Sequence, residues 1–253
     1  MPKHQLRTSI IYCGDNLQML KEIPDESVDL IYIDPPFNSN RNYEVFWGDT
    51  QERRAFEDRF GDAQHYIDWM RPRVLELYRV LKPTGSFHYH CDWHASHYVK
   101  MLLDQVFNFN NFKNEIIWHY TGGGRSTKYF SRKHDSIFFY TKSKNYTFNV
   151  DAIRVPYKET SGYARTGIVS EAGKHYMPNP KGTPVDDVWD IPIINPLSKE
   201  RLGYPTQKPL SLLERVVEAS SNKGDVVLDA FCGCGTTLVA AEKLKRKWIG
   251  IDI

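Results

Sequence analysis

Along this chain, short apolar runs that end in an acid alternate with segments whose apolar residues recur every three or four positions. "TSIIYCGD" predicts a buried strand ending at Asp15, and "NLQMLKEI" follows with helical spacing, Asp15 or Asn16 serving as its N-cap. "VDLIYI" predicts a second buried strand, ending at Asp34. Residues 38–62 are polar and aromatic without a period and predict a long loop. "AQHYIDWMRPRVLELYRVL" is helical, with Pro72 expected to start a new helix or kink this one. "KPTG" predicts a turn, "SFHYHC" a strand, "WHASHYVKMLLDQVF" an amphipathic helix and "NEIIWHY" another strand. A loop, "TGGGRSTKYFSRK", and a strand, "DSIFFYTK", come next. From Asn145 to Tyr204 the periodicity fades among Pro, Gly and Lys. "TQKPLSLLERVVEASS" then predicts a helix with Pro209 in its first turn. "DVVLDA" is a strand, "FCGCGTT" a Gly-rich turn, "LVAAEKLKR" a helix and "KWIGIDI" a final strand.

Strands alternating with helices predict βαβ units and an α/β fold with a mostly parallel sheet. In such sheets ligands bind beyond the carboxyl ends of the strands. Asp15, Asp34, Asp229 and Asp252 all fall at or near such ends, so four acids are expected on one rim.

Bulk numbers narrow the class. A chain of 253 residues holds one large domain with a smaller insertion. No apolar run approaches a membrane span, and the first residues lack the apolar core of a secretory signal, so a cytoplasmic protein is expected. Net charge is only +2, but it is unevenly spread. Lys113 to Lys181 carries twelve Lys or Arg against five Asp or Glu, a local +7 that leaves −5 for the remainder. Such a basic middle suits either a polyanion-facing insertion or a solvated loop region. Cys232 and Cys234, and the run "HYHCDWHASH" with His88, His90, His94 and His97, invite a metal. The cysteines have no second pair, and strand and helix faces need not converge, so no metal is expected.

The Gly-rich turn carries the clearest ligand signal. Its glycines let backbone approach a ligand, and the following helix start offers free N–H groups. Asp252, seventeen residues after Gly235, is placed for ribose hydroxyls. The third glycine of a dinucleotide fingerprint is replaced by Leu238, which disfavours a pyrophosphate. Asp229 would repel a diphosphate but suits a cationic amino group.

Asp34-Pro35-Pro36-Phe37 together with Phe231-x-Gly233-x-Gly235 resembles the S-adenosylmethionine-dependent DNA amino-methyltransferases, whose catalytic motif is [D/N/S]-P-P-[Y/F/W]. The catalytic motif precedes the cofactor motif here, which is similar to the β class. That resemblance implies a circularly permuted Rossmann-like fold with a mostly parallel seven-stranded sheet and a small irregular target-recognition insertion. It implies residues 1–144 as the catalytic half, 145–200 as the insertion, and 201–253 as a cofactor-binding half truncated after Ile253. It also implies that Asp229, Phe231, Gly233, Gly235, Thr236 and Thr237 surround the methionine part of S-adenosylmethionine. Thr206 and Lys208, in "YPTQKPLSLLERVV", would reach its carboxylate. Asp252 would bind the ribose and Asp15 would lie near the adenine ring. Asp34, Pro35, Pro36 and Phe37 would hold a flipped target base.

Those four residues suit the chemistry on their own terms. An exocyclic amine is a poor nucleophile because its lone pair is delocalised into the ring. The Asp34 carboxylate and the Pro35 carbonyl can accept its two N–H groups, the prolines stiffen the loop, and Phe37 can stack on the base. Arg125, Lys128, Arg132, Lys133, Arg154, Lys158 and Arg165 are candidates for DNA phosphates. Asp in the motif leans towards adenine N6, with cytosine N4 the alternative. The rival classes are a nucleotide-dependent oxidoreductase and a non-catalytic DNA-binding module. Expected partners are double-stranded DNA, a cognate restriction endonuclease and a second copy of the chain.

Overall fold

The computed structural model describes residues 6–37, 41–47, 52–58, 60–122 and 124–253; for 41–57 it describes the backbone alone. The chain opens with β1 (Ile10–Cys13), the short α1 (Asn16–Met19) and β2 (Val28–Ile33). β3 (Arg41–Trp47) and β4 (Glu52–Asp58) form an antiparallel hairpin where the sequence predicted a loop. α2 (Ala63–Val80), β5 (Leu81–Cys91), α3 (Ser96–Phe107), β6 (Phe112–His119) and β7 (His134–Thr141) follow. The irregular segment carries α4 (Gly162–Thr166), the two-residue strands β8 (Ile168–Val169) and β9 (His175–Tyr176), and β10 (Val188–Asp190). α5 (Leu210–Ser220), β11 (Val226–Asp229), α6 (Thr236–Lys243) and β12 (Lys247–Asp252) complete the chain.

The main sheet runs β1-β12-β11-β2-β5-β7-β6-β10. It has eight strands rather than seven, because β10 from the insertion pairs in parallel with β6. β7 alone runs against its neighbours β5 and β6. The strands from β1 to β5 are parallel, so their carboxyl ends share one rim.

Burial on both faces explains the continuous apolar runs. Along β2, Ile31 and Ile33 face a core built with Met70, Val74 and Leu77 of α2, while Leu30 and Tyr32 face one built with Leu213 and Val216 of α5 and Ala240 of α6. The predicted "KPTG" turn lies inside β5 as a bulge: Val28 pairs with Leu81, and Leu30 already with Ser86. Lys82, in that bulge, donates to both carboxylate oxygens of Asp29 at 2.7 and 2.8 Å. Among the described residues no helix is long and apolar enough to cross a membrane.

Pro72 neither starts a new helix nor ends one. α2 runs through it, because Tyr66, Ile67, Met70, Val74 and Leu77 bury one continuous stripe that outweighs the lost hydrogen bond. Pro72→Ala restores an N–H for the Asp68 carbonyl. It is expected to stabilise the fold by about 1–2 kcal/mol, after the greater flexibility of the unfolded chain is discounted. A rise in the urea midpoint at unchanged slope checks it.

Candidate active site and cofactor cavity

Four of the parallel strands end at or near an acid, Asp15, Asp34, Asp229 or Asp252. Cys13 lies opposite Asp252, and Asp229 opposite Gly250. Leu228 lies opposite Ile31, three residues before Asp34. A cavity of about 620 Å³ opens above this rim. Asp15, Asp34, Pro35, Pro36, Phe37, Thr206, Lys208, Asp229, Phe231, Gly233, Thr236, Thr237 and Asp252 all line it. Segments about two hundred residues apart therefore do converge on one space.

Asp34 stands at the wall of that space. Its Oδ2 is paired with the Lys208 ammonium, which projects from the approach to α5. Its Oδ1 is buried and has no hydrogen-bond partner among the described residues. His90 Nδ1 stands 3.9 Å from Oδ1 and is itself hydrogen-bonded to the Tyr32 hydroxyl at 2.7 Å. His90 Nε2 meets Asp135 Oδ2 at 3.1 Å, and the Tyr120 hydroxyl donates to Asp135 Oδ1 at 3.1 Å. Burial pushes the Asp135 carboxyl up, but the hydrogen bond and charge of His90, the charge of Lys208 and the Tyr120 hydroxyl together hold it below its ordinary value. The Phe37 ring lies 5.8 Å from the His90 ring, with Lys208 Nζ 5.4 Å from its centroid.

The Gly-rich turn forms the facing wall. Gly233 and Gly235 take positive φ values of 50° and 83°. A Cβ at Gly233 would stand 3.3 Å from the Tyr204 ring, so the turn and that ring are packed in contact. Gly233 N–H donates to Asp252 Oδ2 at 2.6 Å. Asp229 Oδ1 accepts from the Phe231 N–H at 3.0 Å and Oδ2 from the Thr237 hydroxyl at 2.6 Å. Burial pushes the Asp229 carboxyl up to about 7. The Thr237 and Phe231 hydrogen bonds pull it down, and the charges of Asp34 and Asp252 add to the rise. Burial also raises Asp252, against hydrogen bonds from Gly233 and Ile253.

At the far end Arg73 reaches Asp15 Oδ2 at 2.6 Å and Asn16 Oδ1 at 2.8 Å while lying over the Trp69 ring at 4.0 Å. Asn16 in turn donates to the Ala230 carbonyl at 2.9 Å. Trp69 stands 4.9 Å from Phe60 and 6.0 Å from Phe231, making an aromatic wall.

Lys208, expected on a cofactor carboxylate, is paired with Asp34 at the end of β2, to which the approach to α5 carries it. Gly235 does not line the cavity; it caps α6 in a left-handed conformation and shapes the turn. Among the candidates for phosphates, Arg154 is tied to Asp151 Oδ1 at 2.7 Å and to the Gly182 carbonyl at 2.9 Å, and is only 14% exposed. It therefore braces the insertion. Arg165 donates to the Glu159 carbonyl. Sequence reasoning passed over Tyr204, Trp69, Phe60, Arg73 and Asp135. Tyr204 could have been found beside Thr206 in "YPTQKP", and Trp69 with Arg73 by their i,i+4 spacing on α2.

A family model described as DNA methylase, for N6 and N4 amino-methyltransferases, matches residues 28–253. The chain belongs to this family. It is 38% identical over 242 residues to the DNA adenine methyltransferase YhdJ of Escherichia coli K12, covering 95% of this chain and 76% of that protein. The fold matches the PvuII cytosine-N4-specific DNA methyltransferase at a TM-score of 0.66 and 19% identity, over 100% of this chain and 84% of that one. It also matches M1.HpyAVI, solved with S-adenosylmethionine, at a TM-score of 0.55 and 22% identity, over 96% and 92%. The protein is a DNA methyltransferase.

The residues present fit S-adenosylmethionine. An aromatic wall, the buried Asp229 and half-buried Asp252 carboxylates held by backbone and hydroxyl donors, and an Asp34 oxygen without a partner among the described residues suit a nucleoside with a cationic tail.

The raised Asp229 makes a prediction about stability. A carboxyl that binds its proton more tightly when folded stabilises fully below its unfolded value near 4. That contribution is lost as pH rises through about 7. Asp229→Asn is expected to be more stable than wild type at pH 8 by roughly 1–3 kcal/mol, with the difference shrinking towards pH 5. Urea denaturation of the ligand-free proteins at the two pH values measures it.

Proposed function

We propose that this protein methylates the exocyclic N6 amine of an adenine swung out of double-stranded DNA. The observation that carries the reading is the state of Asp34: one carboxylate oxygen fixed by Lys208, the other buried without a partner at the edge of the cofactor cavity. A buried acceptor left empty costs stability, so such an oxygen marks a place where a donor is meant to arrive. An amine N–H fits it.

Asp34 Oδ1 accepts one amine N–H and the Pro35 carbonyl the other. Both bonds draw the nitrogen towards sp³ geometry and restore its lone pair. Lys208 keeps the carboxylate from turning, so Oδ1 holds its aim while the base enters. Phe37 offers a ring face to the base, and His90 behind it limits how far the ring can retreat. Bound S-adenosylmethionine supplies a methyl already activated by its sulfonium. Asp229, Asp252 and the turn at Gly233 hold its polar groups, with Trp69, Phe60 and Phe231 along its flat parts. As the N–C bond forms and the methyl–sulfur bond breaks, its electron pair staying on sulfur, the amine sheds one proton towards Asp34 Oδ1. No covalent bond to the protein is required, and burial raises the Cys232 thiol, away from a nucleophilic role.

Adenine is favoured over cytosine by the acid at the first motif position and by the similarity to a relative named for adenine. A base inside a duplex cannot reach this rim, so it must be extruded at a cost of a few kcal/mol.

Tritiated methyl transfer to unmethylated DNA, followed by digestion to nucleosides, tests the assignment. Label is expected in N6-methyl-2′-deoxyadenosine. Asp34→Ala is expected to lower the single-turnover rate at least 10³-fold, about 4 kcal/mol of transition-state stabilisation, while cofactor binding by calorimetry persists. Label in N4-methylcytosine, or wild-type rates from Asp34→Ala, would overturn the respective part.

A further inference from the structure

The segment from residue 124 to 133 presents a feature that methyl transfer as described leaves unused. Phe130 is 99% exposed, among the most exposed large apolar side chains of the molecule. Yet the backbone that carries it is organised. Ser126 Oγ accepts from the N–H groups of Lys128 and Tyr129 at 3.2 and 3.3 Å, and Ser131 Oγ accepts from Ser126 N–H at 3.0 Å. Arg132 lies 3.7 Å over the Trp93 ring, which follows β5, and 5.1 Å from the Tyr129 ring. Lys133 Nζ is bound to the Gly122 and Gly124 carbonyls at the base of the loop. The turn is thus stapled at both ends and Phe130 stands out from it. Solvent-facing Phe without packing gains nothing for the fold.

Its position relates it to the target pocket. β7 runs antiparallel to β5, so the chain enters β7 on the rim where β2 and β5 end. Asp135, two residues after Lys133, is one imidazole away from Asp34 through His90. Phe130 lies four residues before His134, a span of at most about 13 Å of extended chain. Arg125, Lys128, Arg132 and Lys133 lie within five positions of it along the chain, and none is paired with a carboxylate of a described residue. An exposed apolar side chain on a segment carrying such cations, beside a pocket for an extruded base, matches what a nucleic-acid stack offers once a base has left it: an apolar gap between base pairs, bordered by phosphates.

We propose that Phe130 enters the duplex and fills the gap left by the target base, with its neighbouring cations on the flanking phosphates. This rests on the base-extrusion reading above. Filling the gap restores part of the lost stacking, so it favours the extruded state and matters most when the target base is paired.

The test uses the full chain and a duplex carrying the site mapped from plasmid methylated by the wild type. A second duplex replaces the base opposite the target with an abasic site, which removes the pairing that extrusion must break. Phe130→Ala is expected to lower kcat/KM on the paired duplex 10- to 100-fold and on the abasic duplex less than 3-fold. Phe130→Trp is expected to stay within 5-fold of wild type on both. With 2-aminopurine at the target, Phe130→Ala should also lose most of the fluorescence rise that marks extrusion. Equal losses on the two duplexes, or no loss on the paired one, would overturn the wedge. A wild type that labels no DNA would defeat the parent reading, and the wedge with it, whereas a wild type that labels DNA with Phe130→Ala at full rate defeats the wedge alone.

Discussion

The site depends on the pairing of β11 with β2. That contact is short, with Val227 opposite Leu30 and Leu228 opposite Ile31, yet it joins the two ends of the chain. Because the strands are parallel, the pairing sets Asp34 and Asp229 to emerge from the same edge. Its register is fixed by burial on both faces. Val227 and Leu30 pack on the α5–α6 side, and Leu228 and Ile31 on the α2–α3 side. A slip of one residue would exchange the faces of every side chain and carry Asp229 off the cavity. The same α5 that packs against this pair, through Leu213 and Val216, is preceded by Lys208. The ion pair that aims Asp34 is therefore a consequence of how the core is filled.

Much of this was legible from the chain alone, for a specific reason. Strands buried on both faces leave unbroken apolar runs, and in a parallel sheet their last residues point into solvent or ligand. "VDLIYI" before Asp34 and "VVLD" at Asp229 are such runs. The hairpin at 41–58 was not legible, because its sequence lacks the alternation of a half-buried strand. β10 was missed for a different reason. It is three residues long, and what fixes it is Trp189, 5% exposed, whose indole N–H donates to the Asp186 carbonyl at 2.8 Å. Pro72 starts no new helix because five buried side chains on one stripe outweigh the local rule against proline in a helix.

Within the site, the acids could be read but their partners could not. Strand-end acids follow from a one-dimensional pattern. Lys208 meeting Asp34, or Arg73 meeting Asp15, follows from two elements crossing in space, and nothing in the spacing announces it. The ion pair with Lys208 leaves the two oxygens of the Asp34 carboxylate in different surroundings, one paired and one without a hydrogen-bond partner among the described residues.

Charge explains why the turn departs from a dinucleotide site. Of the four rim acids, Asp15 faces Arg73 and Asp34 faces Lys208. Asp229 and Asp252 have no cationic partner among the described residues, and burial raises both. Two carboxylates in that condition are relieved by a ligand that brings positive charge and penalised by one that brings negative charge. At an effective dielectric of about 20, each unit pair some 4 Å apart is worth roughly 4 kcal/mol in either direction. A pyrophosphate would meet that penalty at the very turn where other folds welcome it, whereas a sulfonium with an ammonium group meets the reverse. The leucine at position 238, where a dinucleotide fingerprint has its third glycine, then follows: with no diphosphate to admit, that position is free to pack its side chain against Gly250 under the turn.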